Sequence, residues 1–456
     1  MNDARQLSRF ERVLSLFTKV EAGEGRCIAI LCLQAFSLMM AYYLIRPVRE
    51  ALILTEGNAE LRSYAVGVQA LLLILIIPVY GLLVRRISPD RVFQRVNAFF
   101  ALNLVFFFLL GQAGLKFGFV FFVWGSLFAV MTVTQFWAFA TDLFSVKCGQ
   151  RLFSVIAIGV STGAMIGSRL ASAGFDTFGP YGLMLASATV LAATIYVGDW
   201  ARRSVPTTSR SVPHHEEQAT GAAFRLLGGF AVIGRSRYLV GIAALVVLLN
   251  WITSTGDYVL SNWLIDVARE RAPGAQAAFI GRFMGNYCSA VALVGLLVQL
   301  LLVSRIILVA GLARALMVTP VAFLAGFLLI GVVPVFALLQ SVLVLQRSLD
   351  YSLLNTTRSA LLLPASREEK YQARTAIDTF FYRSGDLLST LSVFVGLRHF
   401  ADARLQFVWL IVVLSAVMML VAWLIGREYS RRFGAAHESS GCDALAGTGA
   451  GAVLAQ

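Results

Sequence analysis

The chain has 456 residues, 58% of them hydrophobic and only 14% charged, with a mean hydropathy of +0.76. That balance excludes an ordinary soluble domain. Apolar stretches of about 20 residues recur along nearly the whole length, each able to cross a roughly 30 Å hydrocarbon core at 1.5 Å per residue. The formal charge of +13 does not imply a nucleic acid polymer as partner, because the basic residues lie in short loops rather than on one face or in an aromatic-interleaved patch.

The N-terminal residues 1–26, with Arg5, Arg9, Glu11, Arg12 and Lys19, lack the short apolar core and small-residue cleavage site of a signal peptide and read as a cytoplasmic amphipathic segment. Twelve spans follow: 27–54, 63–84, 95–114, 117–142, 152–173, 180–199, 239–264, 277–303, 306–330, 332–354, 371–396 and 404–426. They predict an all-α polytopic protein with two six-helix bundles, residues 27–200 and 239–430, joined by a polar connection at 201–238 and ending in a flexible tail at 431–456. Basic residues crowd alternate loops: Arg85, Arg86, Arg91 and Arg95 after the second span, Lys147 and Arg151 after the fourth, Arg202 to Arg237 after the sixth, Arg427 to Arg432 after the twelfth. The positive-inside rule therefore puts both termini and the central connection in the cytoplasm. Arg269 and Arg271, beside Asp266 and Glu270 after the seventh span, fit it least well.

The first span contains Tyr42-Tyr43-Leu44-Ile45-Arg46-Pro47-Val48-Arg49-Glu50. Ionisable residues at membrane depth are expensive and usually face a cavity or one another. Tyr42, Arg46 and Arg49 share one helix face at i, i+4 and i+7, Glu50 stands one turn beyond Arg46, and Pro47 withholds a hydrogen bond from the carbonyl of Tyr43. These residues read as the lining of a transport path; the alternative is an internally paired knot that only fixes packing. In the fourth span Gln135 and Asp142 face the same way, Asp142 being either functional or a helix-end charge. Gly159, Gly163 and Gly167 form a small-residue stripe in the fifth span, which close helix packing explains. In the polar connection His214-His215-Glu216-Glu217 lacks further metal ligands nearby and reads as solvated linker. The cysteines Cys27, Cys32, Cys148, Cys288 and Cys442 are scattered, with neither metal spacing nor a disulfide framework.

The second half adds a polar stripe of Asn250, Ser254, Asp257 and Ser261, too continuous for a lipid-facing surface. Arg282 and Asn286 stand one turn apart in the eighth span. Arg347, Asp350 and Tyr351 lie in the tenth, followed by Asn355 and Arg358, and the eleventh carries Arg374, Asp378, Arg383 and Asp386. Substrate contact or gating is one account of them, and internal salt bridges are the other.

From Asn355 to Ser389 the chain resembles the bacterial and plastid ATP:ADP antiporter family. The resemblance rests on Thr357, Arg358, Pro364, Ser366 to Tyr371, Ile377, Asp378, Arg383 and Gly385. Ile45 to Leu52 and Phe136 to Gly167, through Arg151-Leu152-Phe153 and the glycines, look like further stretches of that family, and together the three cover about a fifth of the chain. The resemblance implies twelve spans, a fold similar to the major facilitator one, and adenine nucleotide exchange using buried basic residues on the phosphates. Gly81 to Arg91 (GLLVRRISPDR) loosely resembles the loop between the second and third helices of major facilitator transporters. Arg49 stands where nucleotide exchangers carry a first-helix lysine. Cys148 replaces an acidic residue, and Gly385-Asp386 replaces Gly-Lys; losing a cation and gaining an anion weakens polyphosphate binding.

No lysine of this chain follows a glycine, so no P-loop is present, and neither a His-Glu zinc motif nor a nucleophile elbow is found. The sequence calls for no cofactor or metal and is not that of an enzyme. Three readings remain. One is a secondary transporter of a small anionic, phosphorylated metabolite, with Tyr42, Arg46, Arg49, Asn250, Asp257, Arg282, Asn286, Arg347 and Tyr351 as substrate contacts and Glu50, Asp142, Asp350, Arg358, Arg374, Asp378, Arg383 and Asp386 in coupling or gating. The second is a proton-coupled carrier of another organic solute, titrating at Glu50, Asp257, Asp350 or Asp386. The third is a non-transporting scaffold or sensor. Arg far exceeding Lys, and short loops, point to a bacterial inner membrane; the sequence does not fix the oligomeric state.

Overall fold

Helix is the only regular secondary structure among the described residues, which in this computed structural model are 25–84, 89–143, 146–204, 222–362, 367–400 and 404–446. The N-terminal segment to residue 24, most of the basic loop after the second span, the connection with His214 and His215, the Pro364 and Ser366 motif positions and the last ten residues lie outside them. So do the side chains of Asp142 and Cys148. A bilayer core offers no water to unpaired backbone groups, so an all-helical chain is what its apolar length requires.

The helices are α1 (Gly25–Glu56), α2 (Ala59–Val84), α3 (Pro89–Gln112), α4 (Gly118–Leu143), α5 (Val146–Ser204), α6 (Ala222–Arg235), α7 (Arg237–Arg271), α8 (Gln276–Leu297), α9 (Ser304–Val332), α10 (Phe336–Leu349), α11 (Asn355–Leu361), α12 (Arg367–Ala376), α13 (Tyr382–His399) and α14 (Arg404–Ala446). Among the described residues, π-helical turns at Val298–Val303, Asp350–Leu354 and Ile377–Phe381 join α8 to α9, α10 to α11 and α12 to α13. Eight helical stretches are long and apolar enough to cross a membrane, and two of them, Ile156–Ala201 and Gln276–Val332, have the length of two passages each. With α10–α11 and α12–α13, whose charges dilute their apolarity, this is consistent with twelve spans.

Two turns are tighter than the sequence predicts. The fifth and sixth spans part at Gly179 alone, whose φ of 64° and ψ of −177° only glycine adopts readily, and Pro180 restarts the helix. The eighth and ninth part at Gly311, φ 76°, seven residues beyond the expected Ser304. At the far end α14 runs on to Ala446, past the limit at Ser430 expected for the last bundle.

The chain forms two compact units, Met1–Ala222 with Asp257–Leu296, and Ala223–Gly256 with Leu297–Gln456. The division cuts α7 between Gly256 and Asp257, so Asp257–Leu296 groups with the first unit rather than with the 239–430 bundle drawn from sequence. In the first unit the glycine stripe of α5 lies directly on α1. A Cβ at Gly159, Gly163 or Gly167 would stand 2.5, 2.3 or 2.7 Å from the carbonyl oxygens of Cys32, Phe36 and Met40. Each step of four residues on one helix matches a step of four on the other, so the two run parallel in backbone contact. Ser187 adds a hydrogen bond to the Ala41 carbonyl at 2.7 Å. The far part of α7 and α8 join this unit through α5: Gly281 faces the Phe175 ring, and Gly285 the backbone at Ser168 and Ser172.

In the second unit Gly385 gives α13 the same close approach to α7, its missing Cβ being 2.5 Å from the Val247 carbonyl. Trp251 donates to Ser392 at 2.9 Å, and the Thr255 and Ser389 hydroxyls meet at 3.0 Å. The polar connection is not linker throughout. Its last part forms α6, whose Phe230 ring contacts Phe380 and Phe381 with centroids 4.9 and 5.7 Å apart.

Candidate functional site

Arg46 lies ten residues before the end of α1 at Glu56, hence about 15 Å along the helix axis from that end. Its guanidinium donates to the Tyr43 hydroxyl at 3.0 Å and stands 5.2 Å from that ring. Tyr43 packs edge-on against Tyr42, which also touches Phe128. One turn further along, Arg49 donates to the Ser126 hydroxyl at 3.0 Å and lies over the Phe122 ring at 4.4 Å. Its Nη2 reaches Glu50 Oε1 at 3.1 Å, while its Nε is buried with no hydrogen-bond partner. Ser126 in turn donates to Gln69.

Glu50, 3% exposed, is held from the other side by Arg62, the fourth residue of α2, with Nε to Oε2 at 2.6 Å. Arg62 Nη2 lies 3.4 Å from Glu50 Oε1 and 3.7 Å from Asp257 Oδ2. The guanidinium groups of Arg49 and Arg62 thus meet the carboxylates of Glu50 and Asp257, with Arg46 one turn before Arg49. The Tyr43 and Phe122 rings lie beside Arg46 and Arg49 and offer ring faces.

Arg282 and Asn286, expected beside these residues, lie elsewhere in the same unit, on an exposed seam between α5 and α8. Arg282 pairs with Asp176 at 2.9 Å, and Arg169 donates to Asn286. With both partners of the Arg282 pair about half-exposed, it contributes little energy. Cys288, buried on α8, instead lies within electrostatic reach of Arg46, Arg49, Glu50 and Asp257.

The second unit has its own charged group. Asp386, buried, accepts from Ser254 at 2.6 Å and from Arg383 at 3.2 Å, and the charge of Arg347 also acts on it. Arg347 and Arg358 act on Asp350. Arg383 lies 5.1 Å from the Tyr382 ring. Asn250 is 2% exposed and spends its amide on the Val246 carbonyl one turn back. Tyr351 is 45% exposed and lies within electrostatic reach of Tyr382. Nearer the end of α12, Asp378 is shared by Arg358 at 3.3 Å and Arg374 at 3.5 Å, and is itself exposed. Asp350 opens one π turn and Asp378 lies in another, and such turns occur often at functional sites.

Arg46, Arg49, Glu50 and Asp257 are therefore brought together, as are Arg347, Asp350, Arg383 and Asp386, and Arg358, Arg374 and Asp378. Arg62, Phe122, Ser126 and Gln69 escape the sequence reading. Arg62 falls just outside the span drawn from Ser63, and Glu60 and Arg62 together look like loop. The remaining signal is that Glu50 demands a cation beyond its own helix.

A family model described as TLC ATP/ADP transporter matches residues 116–429. No protein of curated function matches the chain. Among solved structures, a point mutant of the nucleoside transporter NupG is similar with a TM-score of 0.67 at 13% identity, covering 88% of this chain and 99% of that one. The POT family transporter PepTSo follows with a TM-score of 0.62, 13% identity and coverage of 89% and 99%. A bacterial homologue of the iron transporter ferroportin in an inward-facing state has a TM-score of 0.58 at 14% identity, with the same coverage. At such identities the likeness is one of fold, and the fold is that of major facilitator transporters.

Proposed function

The chain belongs to the TLC ATP/ADP transporter family, and from that premise we propose that this multi-pass secondary transporter exchanges an anionic, phosphorylated metabolite of the nucleotide kind by alternating access. The observation that supports the reading is the pair of arginines one turn apart on α1, with Arg49 Nε buried without a hydrogen-bond partner and the Tyr43 and Phe122 rings beside Arg46 and Arg49. Arginine is suited to phosphate because its planar fork binds two oxygens at once. The substrate phosphates meet Arg46 and Arg49. Both termini face the cytoplasm and the protein resides in a bacterial inner membrane. Uptake of labelled ATP and ADP by proteoliposomes loaded with nucleotide, beside Arg49→Ala, tests this.

One observation favours a second reading, a proton-coupled carrier of another solute. Where nucleotide exchangers of the resembling family carry lysine, this chain buries Asp386 against Ser254 and Arg383, a carboxylate that repels polyphosphate. Uptake driven by a pH gradient into vesicles without internal substrate, lost in Asp386→Asn, would favour it over exchange.

A further inference from the structure

The turn at Gly311 sets the depth of two arginines in the second unit. From Leu312 to Val332, α9 is about 31 Å long at 1.5 Å per residue, which matches a hydrocarbon core of roughly 30 Å. With Val332 at one face of the bilayer, Gly311 lies at the other, and Arg314 and Arg305 stand about 4.5 and 9 Å inside it along their helices. Both side chains are exposed. Exposed Leu301 and Leu302 lie one turn before Arg305, and Leu308 and Val309, 83% and 86% exposed, one turn after it. The cation therefore stands in the middle of an outward apolar face. From Gln276 to Val332 the chain has no acidic residue. An arginine in a face of that kind, against lipid tails, is expensive and stretches its guanidinium to the headgroups.

The end of α14 marks the same level. A Cβ at Gly426 would stand 3.3 Å from the Ala313 Cβ, so Arg427 and Arg314 each follow directly on the contact between the two helices. Arg427 lies 5.5 Å from the ring of Trp423, itself exposed. Tryptophan beside a basic residue is what helices carry where lipid tails meet headgroups.

We propose that Arg305, Arg314 and Arg427 bind the phosphate of an anionic phospholipid, whose acyl chains run along the exposed leucines of the π turn at Val298–Val303. Guanidinium forks suit the phosphate oxygens. Three cations select a headgroup that keeps its net negative charge over one that carries its own ammonium group. The lipid supplies the counter-charge that this stretch of chain does not, and ties α9 and α14 to the headgroup layer. The site is distinct from Arg46 and Arg49 and does not depend on the substrate proposed above.

The purified protein in detergent is titrated with dioleoylphosphatidylglycerol or dioleoylphosphatidylcholine, and bound lipid is counted by native mass spectrometry. The wild type is expected to hold its first phosphatidylglycerol about tenfold or more tightly than phosphatidylcholine. Arg305→Gln, Arg314→Gln and Arg427→Gln should each weaken that binding about fivefold, the factor for one basic residue near an anionic surface. Arg269→Gln, exposed at the end of α7, should leave it unchanged. All four side chains are exposed, so the variants fold as the wild type does. Equal affinity for the two lipids, or equal losses in Arg269→Gln and Arg305→Gln, overturns the proposal. So does displacement of phosphatidylglycerol by ATP or inorganic phosphate, which would make these arginines a site for soluble anions.

Discussion

Glu50 and Arg62 meet at 2.6 Å across the short turn that joins α1 to α2, with side chains 3% and 7% exposed. Removing one partner of a buried pair strands the other, at about 3–5 kcal/mol. Glu50→Ala should therefore lower the thermal midpoint of the detergent-solubilised protein sharply. Arg374→Ala, which breaks exposed contacts to Asp378, should cost about 1 kcal/mol or less. Equal shifts for the two variants would contradict this placement of the charges.

Backbone contact between α1 and α5 makes the central glycine irreplaceable. At Gly163 a Cβ would stand 2.3 Å from the Phe36 carbonyl oxygen and 2.9 Å from its Cα, with backbone that cannot step aside. Gly163→Ala should destabilise by about 1–3 kcal/mol. Gly234→Ala, with nothing within 4 Å, should be neutral or stabilising by about 0.5–1 kcal/mol, as expected for an exposed helical glycine. Thermal melts of the two variants decide the point.

How far this architecture could be read from sequence follows from what a one-dimensional pattern encodes. Apolar runs of membrane length and the four-residue spacing of Gly159, Gly163 and Gly167 mark helices and a packing face directly. The same holds for Arg46, Arg49 and Glu50, whose cost in lipid announces them. Arg62 was not legible, because depth is inferred by counting apolar residues and a charge in the first turn of a helix looks like loop until its partner is known. The turn at Gly179 closes the break expected at 174–179 and is shorter than drawn, and the turn at Gly311 lies beyond the one expected at 304–305, because a single glycine with positive φ suffices where several residues are expected. Arg282 and Asn286 share a face with the buried positions only in register; the neighbouring α5 decides that they meet Asp176 and Arg169 instead.

In the second unit, Arg383 and Asp386 form a pair whose energy is separable. Arg383→Ala leaves the carboxylate, already bonded to Ser254, without its nearest cation, and should be destabilising; Asp386→Asn in the same chain should recover part of the loss. A double-mutant cycle on thermal stability is expected to give a coupling of about 0.5–3 kcal/mol. Simple additivity of the two changes would mean that the pair is not formed.

Phe122 lies under both Arg49 and Arg62, at 4.4 and 5.6 Å from its ring. Phe122→Leu keeps the apolar volume but removes the ring face, worth about 0.5–2 kcal/mol to a partly desolvated cation. The KM for the transported anion should rise by about 2- to 30-fold, while Phe122→Tyr should stay near wild type. Transport kinetics of both variants check this.

The most direct test of the central claim is uptake of labelled ATP and ADP into proteoliposomes that are either loaded with unlabelled nucleotide or empty, with Arg49→Ala in parallel. The predicted result is uptake that requires internal nucleotide and collapses in Arg49→Ala. Absence of uptake under both conditions, or uptake that Arg49→Ala leaves unchanged, would contradict the assignment of the Arg46–Arg49 site to a nucleotide-like anion.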